Sequence, residues 1–452
     1  MLGESTLNRT IIQLAVPAIL ENLLGTAVFF ADTLLLGWLK DPAALAAIGL
    51  SGTYNFIAQG IFMSLGIGAL AVVARAWGAG DFAEAKRAAG QAIAMTVVLS
   101  LLIMPVMMLL AQPFLSLLMQ DPDAAMRETV VRMGAEYSFI LLLSAPLAFP
   151  RIVISMIMRA AGDTRTPMLI TLLVNAVNIV LALMLIFGFG PIAGLGIRGA
   201  GIATALAQGL GGLAAFAALI TGHAKPHMRA REMTVWDPVE IKRIWRLALP
   251  NIAESGIQRV GFITFMGIVS GLGTASMAAH QITNSVESMS FMPAWGLATA
   301  VSTIVGQALG ARNVRVAELA TFRSALIGTA VMIVAGAAFV LFGTQLASVF
   351  GAENDVLQLA SSAVKLSALE LPTLTIYMIY SAALRGAGDT RSPMIVSLIG
   401  ALFFRVAAVW LLAVKFGLGL DGVWLGTAVD WLGRAVVVYM LYRRGRWKTL
   451  NI

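Results

Sequence analysis

Twelve long apolar runs divide this chain of 452 residues, and each run approaches the roughly 20 residues that a helix needs to cross the hydrocarbon core of a bilayer. Charged residues make up only 12% of the sequence, so a water-soluble fold would lack the polar surface to cover the 59% that is hydrophobic. The runs do not alternate apolar and polar residues as the strands of a membrane barrel do. The sequence therefore predicts an all-α membrane protein with twelve transmembrane helices.

Lysine and arginine collect at alternate ends of the predicted helices. Most lie on the side of the N-terminus, from Arg9 to the basic tail at Arg443 and Arg444, and the positive-inside rule makes this side the cytoplasm. We therefore expect a multi-pass protein of the cytoplasmic (inner) membrane with both termini in the cytoplasm and no cleaved signal peptide. The net charge of +8 then indicates topology and contact with anionic lipid, not a nucleic-acid partner.

Several short stretches occur twice, about half a chain length apart. RAAGDTRTPM begins at Arg159 and returns as RGAGDTRSPM at Arg385, and LAVPAILE at 14–21 returns as LALPNIAE at 247–254. The pattern predicts two parallel six-helix repeats, related by a pseudo-twofold axis along the membrane normal. We expect an N-terminal lobe at 1–221, a cytoplasmic linker at 222–243 and a C-terminal lobe at 244–452. Parallel repeats around a central cleft favour a transporter, because two similar bundles can open the cleft to each side in turn.

The repeated decapeptide predicts the same turn twice, between helices 4 and 5 and between helices 10 and 11. A glycine ends the incoming helix, an aspartate accepts from arginine or from free backbone N–H groups, and a hydroxyl N-cap precedes a proline. These positions are Gly162, Asp163 and Thr166 in the first copy and Gly388, Asp389 and Ser392 in the second. The pattern indicates a structural turn rather than a catalytic motif, with a conformational latch between the lobes as the alternative.

Two carboxylates in the first predicted helix need an explanation, because an ionisable side chain at mid-bilayer costs about 2.5–3.5 kcal/mol on insertion scales. Glu21 and Asp32 are eleven residues apart, almost three turns, so they share a face and lie about 16 Å apart along it. They predict a carboxylate pair that lines a cavity and binds a proton or a cation. The alternative is that each is a structural carboxylate bonded to a neighbouring helix.

The second half of the chain offers its own polar candidates. Glu254 and Gln258 are one turn apart on helix 7, and Asn284 and Glu287 lie on one face of helix 8 together with His280. A face this polar cannot meet lipid, so it lines water or the interior of the bundle.

Other buried charges are expected to be structural. Asp430 and Arg434 have the i, i+4 spacing of a pair, whereas Arg151 and Arg405 need partners on other helices. Glu370 is expected to be solvated near the outer surface, because a proline starts a helix beside it.

Several chemistries are missing from the sequence. There is no cysteine, and the GxxxxGK[ST], HExxH and GxSxG motifs do not occur. The chain thus shows no sign of an enzyme or of an ATP-driven motor, and no cofactor is expected. Energy for transport would then come from an ion gradient.

Pro17 followed fifteen residues later by Asp32, together with the motifs GAGDFAEA, LRGAGDTRSPM, VGQALGAR and GIRGAGIATA, resembles the multidrug and toxic compound extrusion (MATE) family over essentially the whole chain. The resemblance implies a monomeric antiporter that expels small cationic, amphipathic compounds in exchange for H⁺ or Na⁺. It makes Asp32 a central coupling residue, with Asn178 beside it and Na⁺ as a candidate ligand of the two.

The sequence departs from both known branches of that family. The DinF-like branch has a second aspartate where this chain has Ala182, and the NorM-like branch has acids at Gln258 and near Leu374. Neither complete cation site transfers, which leaves Glu254 and Glu287 as substitutes in the second half.

Two other functions stay open at this point. A flippase for lipid-linked saccharides would need several cationic residues to bind pyrophosphate, and the candidates are Arg151, Arg259, Arg405 and Arg434. A membrane-embedded enzyme is the more distant alternative.

Overall fold

The computed structural model describes residues 6–119, 123–190, 192–233, 236–351, 354–450 and 452, and these are almost entirely helical. The α-helices of the first half are α1 (Leu7–Trp38), α2 (Pro42–Ala79), α3 (Phe82–Leu118), α4 (Ala124–Leu142), α5 (Ala145–Ala160), α6 (Arg165–Phe187) and α7 (Ile197–Thr221). A short antiparallel hairpin, β1 (Gly188–Phe189) and β2 (Ile192–Ala193), connects α6 to α7.

The second half follows the same order of helices. These are α8 (Pro238–Ser270), α9 (Thr274–Gly310), α10 (Val314–Ser348), α11 (Asn354–Ser367), α12 (Leu371–Gly386), α13 (Arg391–Lys415) and α14 (Gly419–Arg443). Two stretches of α13, Gly400–Arg405 and Trp410–Lys415, are π-helical. Short 3₁₀ turns lie at Ala230–Met233 and Arg446–Lys448.

Every predicted span has a helical counterpart. Within the described residues, 7 helices are long and apolar enough to cross a membrane alone, and up to 9 are if each of two bent pairs is one span. The bent pairs are α4 with α5, at 64°, and the two parts of α9, at 43°. The α11–α12 pair, α8 and α14 complete the twelve; α11 and α12 are each too short alone, and α8 and α14 are more polar.

The fourth predicted span of each half is broken at an equivalent proline. α5 begins after Ser144 with Pro146 in its first turn, and α12 begins after Glu370 with Pro372 in its first turn. Proline fits the first turn of a helix without losing a hydrogen bond, so it starts a new segment there. The interval between the two prolines equals the interval between the two decapeptides, so the break belongs to the repeat.

The chain forms two compact units, and α1, α2 and α8 each change unit along their length. The first unit is Leu20–Val73 with Asp81–Trp245, and its core is built from α1, α2, α4, α6 and α7. The second unit takes the chain up to Ile19, Ala74–Gly80 and everything from Arg246. One of its core clusters contains Leu7 and Ile11 of α1 among residues of α9, α10 and α12. The first turns of α1 therefore stabilise the unit that is built mainly from the second half.

Glycines let two repeated segments pack backbone to backbone within the second unit. A Cβ added to Gly78 would overlap the backbone of Gln307, and a Cβ added to Gly310 would overlap the backbone of Arg75. The interval from Gly78 to Gly310 equals the interval from Arg75 to Gln307. The backbone that Gly78 contacts is therefore the duplicate of the backbone that Gly310 contacts. The contact is therefore reciprocal, as a twofold relation between repeats requires.

Both copies of the decapeptide fold into the same turn. Gly162 has a φ of 85°, a left-handed value that favours glycine, just after the end of α5. Asp163 then accepts from the backbone N–H of Thr166 at 3.0 Å and from its hydroxyl at 2.7 Å. The second copy repeats this arrangement, with a φ of 90° and bonds of 3.0 and 2.6 Å, at Gly388, Asp389 and Ser392.

The predicted hydroxyl N-caps are wrong. α6 begins at Arg165 and α13 at Arg391, so Thr166 and Ser392 lie inside the first turn and donate to the aspartate instead. A charged acceptor bonds more strongly than a hydroxyl and is further stabilised at the positive end of the helix dipole. The aspartate is thus the residue that caps the helix.

We predict that Asp163→Ala lowers the free energy of unfolding by about 1 kcal/mol, because two donors at the start of α6 lose their acceptor. Asp163→Asn keeps one acceptor oxygen and should lose less. Thermal unfolding of the purified protein in detergent measures both, and Asp389→Ala repeats the test in the second copy. Equal stability of Asp163→Ala and the unsubstituted protein would contradict the assignment.

Candidate functional site

Asp32 and Asn178 lie together in the first unit, joined by a hydroxyl group. Thr204 Oγ1 donates to Asp32 Oδ2 at 2.7 Å and accepts from Asn178 Nδ2 at 2.9 Å. The three side chains belong to buried residues, with exposed fractions of 1% for Asp32, 0% for Asn178 and 5% for Thr204. α1, α6 and α7 each supply one of them, so this chain of hydrogen bonds ties three helices together.

Two oxygens of this site have no hydrogen-bond donor among the described residues, Asp32 Oδ1 and Asn178 Oδ1. A buried acceptor without a donor is costly, and a buried carboxylate is more so. Carboxylate and amide oxygens also suit hard cations. The site can therefore accept a proton or a small cation while Asp32 keeps its bond to Thr204. In the described ranges, no three His, Cys, Asp or Glu side chains form a metal-binding group.

Thr204 is a member of the site that sequence reasoning missed, although it lies within the motif GIRGAGIATA. Threonine in a membrane helix commonly bonds to its own backbone, so the residue type gave no signal. The repeat offers the one available hint, because the second copy, GLDGVWLGTA, also has threonine at this position.

The second repeat does not contain this site. Counted from the repeated motif that precedes each of them, the positions equivalent to Asp32 and Asn178 hold Phe265 and Phe404. Phe265 is buried and packs edge-on against His280, with the ring centroids 5.4 Å apart. The duplicated scaffold thus carries the carboxylate–amide pair in one repeat only.

Glu21 shares the helix of Asp32 but has a different partner. Its carboxylate forms an ion pair with Arg159 of α5 at 2.6 Å, and both side chains are more than nine-tenths buried. The two carboxylates of α1 are therefore not one site: Asp32 bonds to a neutral hydroxyl, and Glu21 bonds to a guanidinium.

Glu254 and Gln258 lie together in the second unit, within a polar cluster of α8, α12 and α13. Glu254 Oε1 accepts from Arg385 at 2.6 Å and from the hydroxyl of Ser397 at 2.7 Å. It also accepts, at 3.3 Å each, from Gln258 and from the hydroxyl of Tyr377. Four donors on one oxygen hold this carboxylate firmly in place.

Glu287 lies apart from that cluster and close to Glu370. Both are buried, so the prediction that Glu370 is solvated is wrong. The adjacent proline starts the second part of a broken span inside the protein, not a helix at the membrane surface. Asn284, by contrast, is exposed, so it does not share the buried environment of Glu287.

The other buried charges that the sequence singled out have polar partners among the described residues. Asp430 accepts from Arg434 Nε and from Arg405 Nε, both at 2.7 Å, so the predicted pair is confirmed and Arg405 shares its carboxylate. Arg151 bonds to the amide oxygen of Gln208 at 2.7 Å, on α7. Arg151 and Arg405 thus have the partners on other helices that the sequence analysis expected, and Arg434 has its partner on its own helix.

A family model matches most of this chain. The MatE model covers residues 17–184 and 250–411, one match in each repeat. The chain belongs to the MatE family. Members of the MatE family are transporters, so this protein is a membrane transporter and not an enzyme.

Relatives of this MatE protein include two called "Probable multidrug resistance protein NorM". The one from Thermotoga maritima is 29% identical over 98% of this chain and 93% of its own length. The one from Bradyrhizobium diazoefficiens is also 29% identical, over 96% of this chain and 92% of its own length.

Solved structures share the fold of this MatE protein. The MATE transporter VcmN of Vibrio cholerae matches with a TM-score of 0.90 at 22% identity, over 99% of each chain. A MOP superfamily transporter from Pyrococcus furiosus matches with a TM-score of 0.88 at 24% identity, over 97% of this chain and 96% of its own. The predicted twelve-helix membrane fold with two repeats is therefore confirmed.

We predict that Thr204→Val lowers the free energy of unfolding by about 1–3 kcal/mol, because it removes the hydroxyl that satisfies Asp32 and Asn178 while keeping the side-chain shape. Thr204→Ser keeps the hydroxyl and is the matched control. Thermal unfolding in detergent compares the two. A valine variant as stable as the serine variant would show that the hydroxyl does not hold the site together.

A second prediction concerns the buried charge of Asp430. Asp430→Asn should cost about 3–5 kcal/mol of stability, because it leaves two guanidinium groups without their counter-charge. The exposed pair of Glu318 with Lys448 provides the control, and Glu318→Gln should cost about 1 kcal/mol or less. Denaturation in detergent measures both, and equal losses would contradict a special role for burial.

Proposed function

We propose that this MatE protein is a secondary active antiporter of the cytoplasmic membrane, with both termini in the cytoplasm. It acts as a monomer and exports small cationic, amphipathic compounds in exchange for H⁺ or Na⁺. The observation that supports this most is the buried carboxylate of Asp32, which bonds to the neutral hydroxyl of Thr204 and has a second oxygen without a hydrogen-bond donor among the described residues. Such a carboxylate can gain and lose a cation without breaking an ion pair.

The names of the relatives support export of drugs. The NorM proteins of Thermotoga maritima and Bradyrhizobium diazoefficiens, both similar over nearly their whole length, are named for multidrug resistance. The chain has 31 Lys and Arg residues, but the buried ones described above are engaged by carboxylates or an amide. A carboxylate without a guanidinium partner favours a cationic substrate over an anionic one.

Coupling would follow from the charge on Asp32. With the ion bound, the carboxylate is neutral and no longer attracts a cationic compound, so the compound is released. When the ion leaves toward the cytoplasm, the negative charge returns and favours loading of the next substrate. Alternate opening of two repeats to the two sides of the membrane converts this exchange into export.

The contacts of the arginines weigh against a lipid-linked saccharide flippase. Arg151 is bound to Gln208, and both Arg405 and Arg434 are bound to Asp430. A pyrophosphate would have to break these contacts before the guanidinium groups could bind it. The antiporter is therefore the function that the described contacts favour.

We predict that Asp32→Asn abolishes gradient-driven efflux, because an amide cannot alternate between a negative and a neutral form. Accumulation of a fluorescent cation in an efflux-deficient host measures this, with Na⁺ and pH varied separately. Asp41→Asn is the control: Asp41 caps α2 through Ala43 and Ala44, and asparagine is an equally good cap. Expression and folding should match the unsubstituted protein in both variants.

Two results would count against the proposal. Full protection by Asp32→Asn would remove Asp32 from the coupling role. Efflux by the unsubstituted protein that depends on neither ion would contradict antiport altogether.

A further inference from the structure

The two motifs that the sequence repeats meet each other within each half of the chain. The glutamate that closes LAVPAILE, Glu21, pairs with the arginine that opens the first decapeptide, Arg159, at 2.6 Å. The glutamate that closes LALPNIAE, Glu254, pairs with the arginine that opens the second decapeptide, Arg385, also at 2.6 Å. One ion pair has therefore been kept in both copies, each inside its own compact unit.

The pairs join equivalent parts of each repeat. Each glutamate lies one turn after a proline inside the first helix of the repeat, Pro17 in α1 and Pro250 in α8. Each arginine lies in the last turn of a helix, α5 or α12, where a positive charge is favoured by the helix dipole. A proline inside a helix removes a backbone hydrogen bond, so the segment that follows it needs another anchor.

Stability alone does not account for these pairs. Burial of two charges costs about as much as their attraction returns, so a buried pair adds little net stability compared with apolar residues. The N-terminal pair also leaves Glu21 Oε2 and Arg159 Nε without a partner in the described residues. A directional contact of this kind determines the position of a helix more than it raises the free energy of unfolding.

The two pairs differ in the residue that lies three turns further along the helix of the glutamate. Eleven residues after Glu21, on the same face of α1, is Asp32 with its bond to Thr204. Eleven residues after Glu254 is Phe265, a core side chain. The N-terminal pair therefore fixes one end of a helical segment whose other end carries the coupling carboxylate, whereas the C-terminal pair fixes a segment without one.

We propose that Glu21 and Arg159 are positioning residues for ion coupling: their contact fixes the α1 segment after Pro17 so that Asp32 meets Thr204 and Asn178 in the geometry that binds the ion. The pair of Glu254 and Arg385 makes the same mechanical contact in the other repeat without this effect on the ion. This assignment rests on the proposed function, because the ion that Asp32 would bind is the coupling ion of the antiporter.

The experiment compares two double-neutral variants, E21Q/R159Q and E254Q/R385Q, which remove each pair without leaving an unpaired buried charge. Gradient-driven efflux gives the maximal rate and the half-saturating concentration of the coupling ion. E21Q/R159Q should raise that concentration by about threefold or more, because loss of the anchor weakens the ion site. Arg385 neutralises Glu254 at 2.6 Å, so we no longer expect Glu254 to substitute for the missing acids of the ion site. E254Q/R385Q can therefore lower the maximal rate but should leave the half-saturating concentration unchanged. R159K keeps a cation opposite Glu21 and should keep the half-saturating concentration of the unsubstituted protein.

A second measurement does not depend on transport. The chain contains no cysteine, so a single cysteine can carry a spin label, and Leu34, which is 48% exposed in the outer half of α1, is a suitable position. In an otherwise unsubstituted protein the label reports the mobility of the α1 segment after Glu21. We expect E21Q/R159Q to increase this mobility and E254Q/R385Q to leave it unchanged.

The outcomes separate this assignment from the proposed function. An unchanged label spectrum in E21Q/R159Q, or an equal shift of the ion concentration by both double variants, would overturn the positioning role. Absence of any ion dependence in the unsubstituted protein would instead overturn antiport, while the label at position 34 still decides whether Glu21 and Arg159 anchor α1. Size-exclusion profiles confirm that each variant is folded before either measurement is interpreted.

Discussion

The cost of burying charge away from water determines how these helices are assembled. Glu21 meets Arg159, and Asp430 holds two arginines from different helices. The Glu21–Arg159 pair joins helices that are distant in sequence, so a contact that neutralises charge also selects which helices become neighbours. Asp32 differs because its partner is the neutral hydroxyl of Thr204. Its negative charge is therefore not cancelled within the site, and that is the property from which a coupling role follows.

The two repeats share their structural contacts but differ at the candidate site. Both repeats keep the proline-broken fourth span, the aspartate-capped turn and the glutamate–arginine pair. Only the first repeat keeps Asp32 and Asn178, where the second has Phe265 and Phe404. The second repeat instead buries an acidic pair, Glu287 with Glu370, that uses none of those positions. Contacts that position helices thus occur in both repeats, whereas the carboxylate–amide pair of Asp32 and Asn178 occurs once.

Much of the fold could be read from the sequence, because apolar length and repetition are local signals. The same holds for Asp32, whose cost in a membrane helix is visible without a structure. The partner of Glu21 was not visible, since Arg159 lies four helices further along the chain and helix pairing is decided by tertiary packing. Thr204 was missed because a hydroxyl usually satisfies itself on its own backbone. Glu370 was misplaced because a proline marks where a helix starts but not whether that start is at the surface.

The reciprocal glycine contact has a consequence for how the two repeats can change over time. Gly78 lies against backbone that belongs to the second repeat, and Gly310 lies against backbone that belongs to the first. A larger residue at either glycine would clash with main-chain atoms of the other repeat. A smaller side chain elsewhere in the same repeat cannot relieve that clash. At this contact neither repeat can enlarge a side chain without displacing the main chain of the other. A substitution at either glycine therefore constrains both repeats at once, although the two repeats differ at the positions of Asp32 and Asn178.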